Sequence, residues 1–410
     1  MNPSGDPFAG KAAFFDEHYR EGTRGRIRLE LVLERLRRAL PSPPASILDA
    51  GGGMGAFAIP LARDGYDVTI LDRSEEWLRV AESKATDAGV AIRLVRGPAE
   101  SAPDVAPGPF DAVLCHTVLI YADDPQRTLR ALREVAADGA VLSSLEKNRD
   151  ALPVRPAREG DFGEALRVMD DPIASGRIGI PNRAMSIGEL RSAMVVSGWL
   201  PTSWAGIRVY SDGVLEPLDA QAFDTVMTLE RAAAVRDPHR RLGRLLHVLA
   251  RAWKPESLGA VQAGSFERAG PSTRESWPAS SALTPADLVG FLDRTRYAAL
   301  STTHPSGRPN STMVAYCVRD GRIWLPTVAG AQRLRNVAAE PSASMLVTQG
   351  EGEEHVAVLI EGQAAIHRDP TEILNRWLRA AWLDRHGTEL TWAGAIIELL
   401  PTKVLSYSAR

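Results

Sequence analysis

Ile47-Leu48-Asp49-Ala50-Gly51-Gly52-Gly53-Met54-Gly55 is an apolar run that ends in an acid and passes straight into glycines. A helix-compatible segment, Ala56 to Arg63, follows it. This is the outline of a first strand, a tight nucleotide-binding turn and a first helix in a Rossmann-like sheet. Glycine opens backbone dihedrals closed to other residues, and it lacks the Cβ that would hold a ligand off the main chain.

Two kinds of ligand match the turn. Gly51, Gly53 and Ala56 satisfy the dinucleotide pattern G-x-G-x-x-G/A, and Asp72 stands about 20 residues on, where a ribose-binding acid belongs. A nicotinamide-dependent oxidoreductase is one reading. Asp49, Gly51, Gly53 and Gly55 also satisfy D-x-G-x-G-x-G, the pattern used for S-adenosylmethionine. Asp49 discriminates between the two. A carboxylate at the strand terminus suits a ligand carrying an ammonium group and repels a pyrophosphate, so S-adenosylmethionine is the expected cofactor.

Outward from the turn, strands and helices alternate. Val68 to Leu71 reads as a second strand ending at Asp72, whose carboxylate can accept both ribose hydroxyl protons. Glu75 to Ala88 is helical, and Ala91 to Val95 is a third strand with Gly97-Pro98-Ala99-Glu100 after it. Phe110 to His116 is a fourth strand with its polar end at the carboxyl edge, where ligands sit in open α/β sheets. Asp124-Pro125 caps a helix to Ala137, and Val141 to Leu145 is a fifth strand. Residues 151–190 are irregular and suit a substrate lid or insert. A helix from Met185 to Ser197, strands Ser203–Tyr210 and Leu245–Ala250, and the helix Ala220–Ala234 complete a seven-stranded sheet, the usual end of a methyltransferase and not of a dehydrogenase. Before the turn, Phe14 to Leu40 reads as helix. Its early arginines, Arg20, Arg24, Arg26 and Arg28, are candidates for reaching a cofactor carboxylate.

The 410 residues allow two or three domains, with 44% apolar content for their cores and a net charge of -3. That balance argues against a globally basic nucleic-acid binder. Two distant cysteines, Cys115 and Cys317, give no disulfide framework and no zinc pattern, and no metal site is expected. Without a signal peptide or a membrane-length apolar run, a cytoplasmic protein is expected.

From Lys254 to Ala282 the composition turns to Gly, Ser, Pro, Ala and Glu without periodicity, as in a flexible linker. The expected domains are 1–253, the linker 254–282, and 283–410. Thr284-Pro285-Ala286-Asp287 opens a fresh helix. Short alternating strands follow: Tyr297–Thr302, Asn310–Val318, Arg322–Thr327, Ser342–Thr348, His355–His367, Trp392–Leu399 and Val404–Ser408. Helices at Gln332–Ala339 and Pro370–Arg385 lie among them. One small antiparallel barrel accounts for this part.

With these residues placed, the first ~250 positions resemble class I S-adenosylmethionine methyltransferases, and among them the bacterial tRNA carboxymethoxyuridine methyltransferases. The likeness is carried by Gly22-Thr23-Arg24-Gly25-Arg26-Ile27-Arg28, Leu48 to Gly53, Leu114-Cys115-His116-Thr117-Val118-Leu119, Gly206-Ile207-Arg208-Val209-Tyr210 and Gly243 to Val248. It implies that Arg28, Gly51, Gly52, Asp72, Ala99, Glu100 and His116 contact the cofactor, to which the turn itself adds Asp49 and Gly53, with Arg73 next to Asp72, and it makes Arg208 a candidate for holding an anionic substrate group. His116 is the one catalytic candidate, as general base for an amine or hydroxyl, or as a positioning group if the nucleophile is a carboxylate; positioning is favoured. The acid often found after the third strand is Pro98 here. The family's lysine-rich segment is replaced by residues 151–190, with five arginines against six acids. A small carboxylate or amine is therefore the expected acceptor, with a transfer RNA as the alternative.

The last ~125 residues resemble pyridoxamine-phosphate-oxidase-like split barrels, which bind flavin mononucleotide (FMN) or deazaflavin. The carrying residues are Ala298 to Thr302, Gly307-Arg308-Pro309, Gly321 to Leu325, Arg333 to Val337 and Pro401 to Val404. The resemblance implies Thr327, Gln332 and Arg333 at the cofactor phosphate, and a homodimer formed through the barrel. A bifunctional enzyme, with a redox step in the barrel, is one expectation; a purely dimerising barrel is the other.

Overall fold

The computed structural model describes residues 8, 10–12, 22–175, 179–214, 217–253 and 257–409. The start of the expected first helix, residues 14–21 with Arg20, lies outside the described residues. The chain divides into two units, Met1–Trp253 and Lys254–Arg410.

In the first unit, strands β1 (Ser46–Ala50), β2 (Asp67–Asp72), β3 (Arg93–Arg96), β4 (Phe110–His116) and β5 (Ala136–Lys147) run parallel. A small hairpin, β6 (Ile173–Ser175) and β7 (Pro181–Arg183), precedes β8 (Trp199–Ile207) and β9 (Leu245–Ala252). The sheet order is β3-β2-β1-β4-β5-β9-β8, with β9 antiparallel to both neighbours. Strand β1 is buried along Ile47, Leu48, Asp49 and Ala50, as a central parallel strand covered on both faces must be. One face is covered by the helix Thr23–Ala39, through Ile27, Leu31 and Leu36, and by the helix Ala220–Ala234, through Phe223 and Met227. The other packs Leu48, Val113, Leu142 and Val248 against Leu129 and Leu132 of the helix Pro125–Glu134. Asp124 caps that helix by accepting from the Gln126 and Arg127 amides.

The region 151–190 holds more order than its composition implies. Helices Val154–Arg158 and Phe162–Asp170 form there besides the hairpin. Their charges pair locally, Arg155 with Glu159 and Arg167 with Glu164, so the density of Arg and acid that reads as irregular is intrahelical pairing.

The second unit is a seven-stranded antiparallel sheet, ordered β11-β10-β14-β15-β16-β13-β12. Its strands are β10 (Tyr297–Thr303), β11 (Pro309–Ala315), β12 (Cys317–Arg319), β13 (Arg322–Thr327), β14 (Ser342–Gln349), β15 (Val356–His367) and β16 (Ala395–Ser408). The sheet curls as a split barrel around Leu300, Ile323, Val358, Ile397 and Val404. Two expectations are corrected. The stretch 254–282 is not a featureless linker: Leu258–Glu267 is a helix whose Leu258 and Val261 enter the barrel core. Its Ser265 hydroxyl accepts from the Val404 amide, and its Gln262 pairs with Ser406. Polar groups do half of this docking, which erases the apolar period. The two closing strands are one. Strand β16 runs through Pro401 with a register shift opposite Glu361 and Gly362, where a Cβ on Gly362 would stand 2.0 Å from the Leu400 carbonyl oxygen. Cys115 and Cys317 are free and buried. No described helix is long and apolar enough to cross a membrane.

Candidate cofactor site at the carboxyl edge of the first sheet

The carboxyl ends of β1, β2 and β4 surround one cavity, and it gathers Arg28, Asp49, Gly51, Gly52, Gly53, Asp72, Arg73, Ala99, Glu100 and His116. Its walls also include Phe8, Phe57, Trp77 and Tyr121. Phe8 packs edge-on against both Trp77 and Tyr121, with ring centroids 5.3 Å apart. Sequence reasoning missed these aromatics, because isolated rings outside the glycine turn carry no spacing signal.

Gly51, Gly53 and Gly55 have φ values of 70°, 53° and 76°, in the left-handed region that glycine occupies without strain. Packing adds a second reason for the turn to exclude a Cβ. A Cβ on Gly51 would stand 2.3 Å from Val118 Cγ2, and one on Gly52 2.7 Å from the Asp49 carboxyl carbon. The turn is bare because it is packed against the protein's own side chains.

Asp49 is buried, and its Oδ2 has no hydrogen-bond partner among the described residues. Burial, and then the charge of Asp72, pushes its carboxyl up to about 7. Such a group is poised for a cation. Asp72 accepts from the Gly53 amide at 2.9 Å through Oδ2 and from the Ser74 amide at 2.8 Å through Oδ1. These two main-chain amides orient the carboxylate at the end of β2. Glu100 accepts from the Thr128 hydroxyl at 2.6 Å, and Arg73 stands exposed at the rim.

His116 ends β4 beside Thr117, a non-glycine residue at φ 57°. Burial drives its imidazole down to about 3, with a smaller contribution from Arg28. It is a neutral ring, packed edge-on against Phe57 at 4.4 Å. Its Nε2 meets the Ser143 hydroxyl at 2.8 Å, and the same hydroxyl meets Nε2 of His247 at 2.8 Å. Neither Ser143 nor His247 stands out in the sequence as a site residue. A serine in Val141-Leu142-Ser143-Ser144-Leu145 and a histidine in Leu245-Leu246-His247-Val248-Leu249 are polar interruptions of buried strands, the one signal available.

Arg208 does not line this cavity. Its guanidinium pairs with Asp212 and is mostly buried, on a backbone at φ 59°. Its Nε is buried without a hydrogen-bond partner among the described residues, and its partner Asp212 lines a second cavity. This cavity lies nearby along the helix Thr23–Ala39, lined by Arg24, Arg155, Arg158 and Arg244 against Asp212 and Glu159. Arg24 and Arg28, one helical turn apart, serve the two cavities from one helix face.

In the barrel, Thr327, Gln332 and Arg333 come together at the end of β13 and the start of the helix Gln332–Ala339. They are bonded inward. Arg333 Nε donates to the Thr327 hydroxyl at 3.2 Å, that hydroxyl donates to the Leu325 carbonyl at 3.1 Å, and Gln332 donates to Asn336 at 2.8 Å. The barrel's open cavity, lined by Ser301, Thr303, Ser342, Glu361, Gln363 and Thr402, includes none of the three. Of the Arg333 guanidinium only Nε is bonded among the described residues, and the arrangement is compatible with a phosphate seat. Trp382 is buried and packs edge-on against Trp392 at 5.6 Å, as core aromatics do. No cluster of metal-ligating side chains occurs among the described residues.

Comparison with known proteins agrees with this division. Residues 48–143 match the family described as a methyltransferase domain, and residues 284–396 match pyridoxamine 5'-phosphate oxidase. The chain is 28% identical over 245 residues to the tRNA 5-carboxymethoxyuridine methyltransferase of Escherichia coli K12, covering 58% of this chain and 92% of that one. It is 36% identical over 105 residues to the ubiquinone biosynthesis O-methyltransferase of Pectobacterium carotovorum, 26% of this chain and 44% of that one. Among solved structures, a possible histamine N-methyltransferase of Thermotoga maritima is 17% identical, covering 60% of this chain and all of that one, with a TM-score of 0.39. A conserved hypothetical protein of Mycobacterium tuberculosis is 26% identical, covering 33% of this chain and 90% of that one, with a TM-score of 0.30. The chain is an S-adenosylmethionine-dependent methyltransferase that carries a methyltransferase domain followed by a pyridoxamine 5'-phosphate oxidase domain.

Proposed function

We propose that the first unit transfers a methyl group from S-adenosylmethionine to a small acceptor bearing a carboxylate or an amine. The observation that carries the cofactor assignment is the buried, unpartnered Asp49 oxygen in the same cavity as Asp72. In this reading Asp49 holds an ammonium, Asp72 a ribose, and Arg28 a carboxylate. The bound cofactor supplies an activated sulfonium methyl, so the protein's task is alignment and exclusion of water. Phe8, Phe57, Trp77 and Tyr121 wall the cavity for that purpose. His116, held neutral near pKa 3, is a poor general base, which favours a positioning role.

Charge compensation supports a small acceptor. Arg240 and Arg241 pair with Asp237 and lie over the Trp204 ring, and Arg251 donates to the Gly139 and Ala39 carbonyls. A nucleic-acid backbone needs positive charge that is not already spent. The second cavity gathers four arginines and two acids into one compact site, not an extended basic track. The similarity to a tRNA methyltransferase supports the rival acceptor. Incubating the protein with isotopically labelled methyl donor, small carboxylic acids and amines, and transfer RNA, followed by mass spectrometry, separates the two. Label in a small molecule is expected; label in RNA alone overturns this reading.

For the barrel we favour a dimerising role, since Thr327 and Gln332 are already bonded within the protein, to Leu325 and Asn336. A colourless dimer that binds neither FMN nor deazaflavin is expected. Saturable binding of either would restore the redox reading.

A further inference from the structure

The hydrogen bonds behind His116 have a direction. Arg35, on the helix Thr23–Ala39, donates from Nε to His247 Nδ1 at 3.1 Å. A guanidinium can only donate, so this nitrogen of His247 must present its lone pair. Burial, then the nearby charge of Arg35, holds His247 well below its ordinary pKa, so the ring is neutral and its single proton sits on Nε2. That N–H donates to the Ser143 oxygen at 2.8 Å. The Ser143 proton then has one remaining partner among the described residues, Nε2 of His116, also at 2.8 Å. His116 Nε2 is thereby an acceptor, and the proton of this neutral ring goes to Nδ1. That nitrogen is buried without a partner among the described residues, in a ring that lines the cofactor cavity.

Sheet register makes the chain compact. His116, Leu145 and His247 are paired across β4, β5 and β9, and Ser143 lies two residues before Leu145 on the same face. Arg28 and Arg35, seven residues and two turns apart, come down on that face from one helix. Arg28 reaches the cavity directly, while Arg35 reaches it through three side chains.

We propose that Arg35, His247 and Ser143 are positioning residues that fix His116 as the tautomer protonated on Nδ1, so that the cavity offers an N–H donor for a carboxylate. With Arg28 this makes an acceptor-seeking side of the pocket, set against Asp49, which seeks a cation. The occupant that matches both is the zwitterionic amino-acid head of the cofactor. The inference rests on the reading of this cavity as an S-adenosylmethionine site, but its first test does not.

Selective 15N labelling of the eight histidines in the full chain reports each ring's tautomer by NMR. Without ligand, His116 should show a protonated Nδ1 and a bare Nε2, and His247 the reverse. A His116 protonated on Nε2, or on both nitrogens near neutral pH, overturns the relay whether or not the cofactor binds. S-adenosylhomocysteine should then shift the His116 Nδ1 proton, and 5'-methylthioadenosine, which lacks the amino-acid head, should not. A shift with both probes, or with neither, overturns the carboxylate assignment. His247→Phe removes the relay and should weaken S-adenosylhomocysteine by roughly 10- to 100-fold, the worth of a hydrogen bond to a charged group, with methylthioadenosine unchanged. His247→Gln keeps an acceptor for Arg35 and a donor for Ser143, and should restore most of that loss. Equal weakening of both probes, or no rescue by glutamine, assigns these residues to packing alone.

Discussion

A Cβ on Gly52 would stand 2.7 Å from the carboxyl carbon of Asp49 and 2.8 Å from its Oδ2. The glycine turn and the strand-end acid are thus one mechanical unit, and the turn positions the carboxylate as much as it receives a ligand. Gly52→Ala should displace Asp49 and cost on the order of 1–3 kcal/mol of stability, with a loss of S-adenosylhomocysteine affinity of at least about tenfold. Gly213→Ala, where an added Cβ meets nothing within 4 Å, should change neither. Thermal unfolding and calorimetric titration of the two variants check this.

Asp49 makes the unliganded protein pH-sensitive. Its folded carboxyl is raised from 3.8 to about 7, so the unfolded chain ionises first. The protonated form's contribution is fully present below about pH 4 and is lost as pH rises through 7. Asp49→Asn should therefore stabilise the unliganded protein at pH 8, by on the order of 1–4 kcal/mol, while removing cofactor binding. In the wild type, binding an ammonium beside Asp49 should release a proton near pH 6. Titrations in buffers of different ionisation enthalpy measure that proton directly; uptake would contradict the assignment.

His116 should leave no mark on the pH–rate profile. With its imidazole near 3, no ascending limb around 6.5 is expected from it. His116→Ala should lower the rate of methyl transfer without changing the profile's shape between pH 5.5 and 8. Loss of an ascending limb in the variant would restore the general-base role.

The barrel has its own buried charge. Glu398, on β16, is 1% exposed and is held by Arg322 and by His367, whose Nε2 lies 2.7 Å from Oε2. Glu398→Ala removes the buried carboxylate that Arg322 and His367 both meet and should destabilise the barrel by about 3–5 kcal/mol. Thermal unfolding of the full chain measures it, and the cofactor affinity of the first unit should be unchanged.

Where local chemistry and long-range packing agree, the sequence is readable to the residue. Strand β4 at Phe110–His116, the helix Ala220–Ala234, strand β13 at Arg322–Thr327 and the helix Gln332–Ala339 stand where periodicity places them. Readings lapse where polar side chains do the packing. Ser265 and Gln262 dock the helix Leu258–Glu267 by hydrogen bonds, so its sequence reads as linker. Strand β16 passes through Pro401 because a bulge opposite Gly362 absorbs the irregularity. The strand-end part of the cavity lining, Asp49, Asp72 and His116, was legible because that position follows from register alone, whereas Arg28 and Ala99 rest on the family resemblance. Ser143, His247 and Arg35 were not, since what joins them is pairing across three strands, with Ser143 two residues from the rung of His116 and His247, and a helix laid over it.

The central claim is that the carboxyl edge of the first sheet takes a sulfonium nucleoside and not a nicotinamide dinucleotide. Calorimetric titration of the full chain with S-adenosylhomocysteine and, separately, with NADH tests it most directly. Saturable binding of S-adenosylhomocysteine, absent in Asp49→Asn, with no heat from NADH, is the expected result. Saturable NADH binding, or indifference to both ligands, would contradict it.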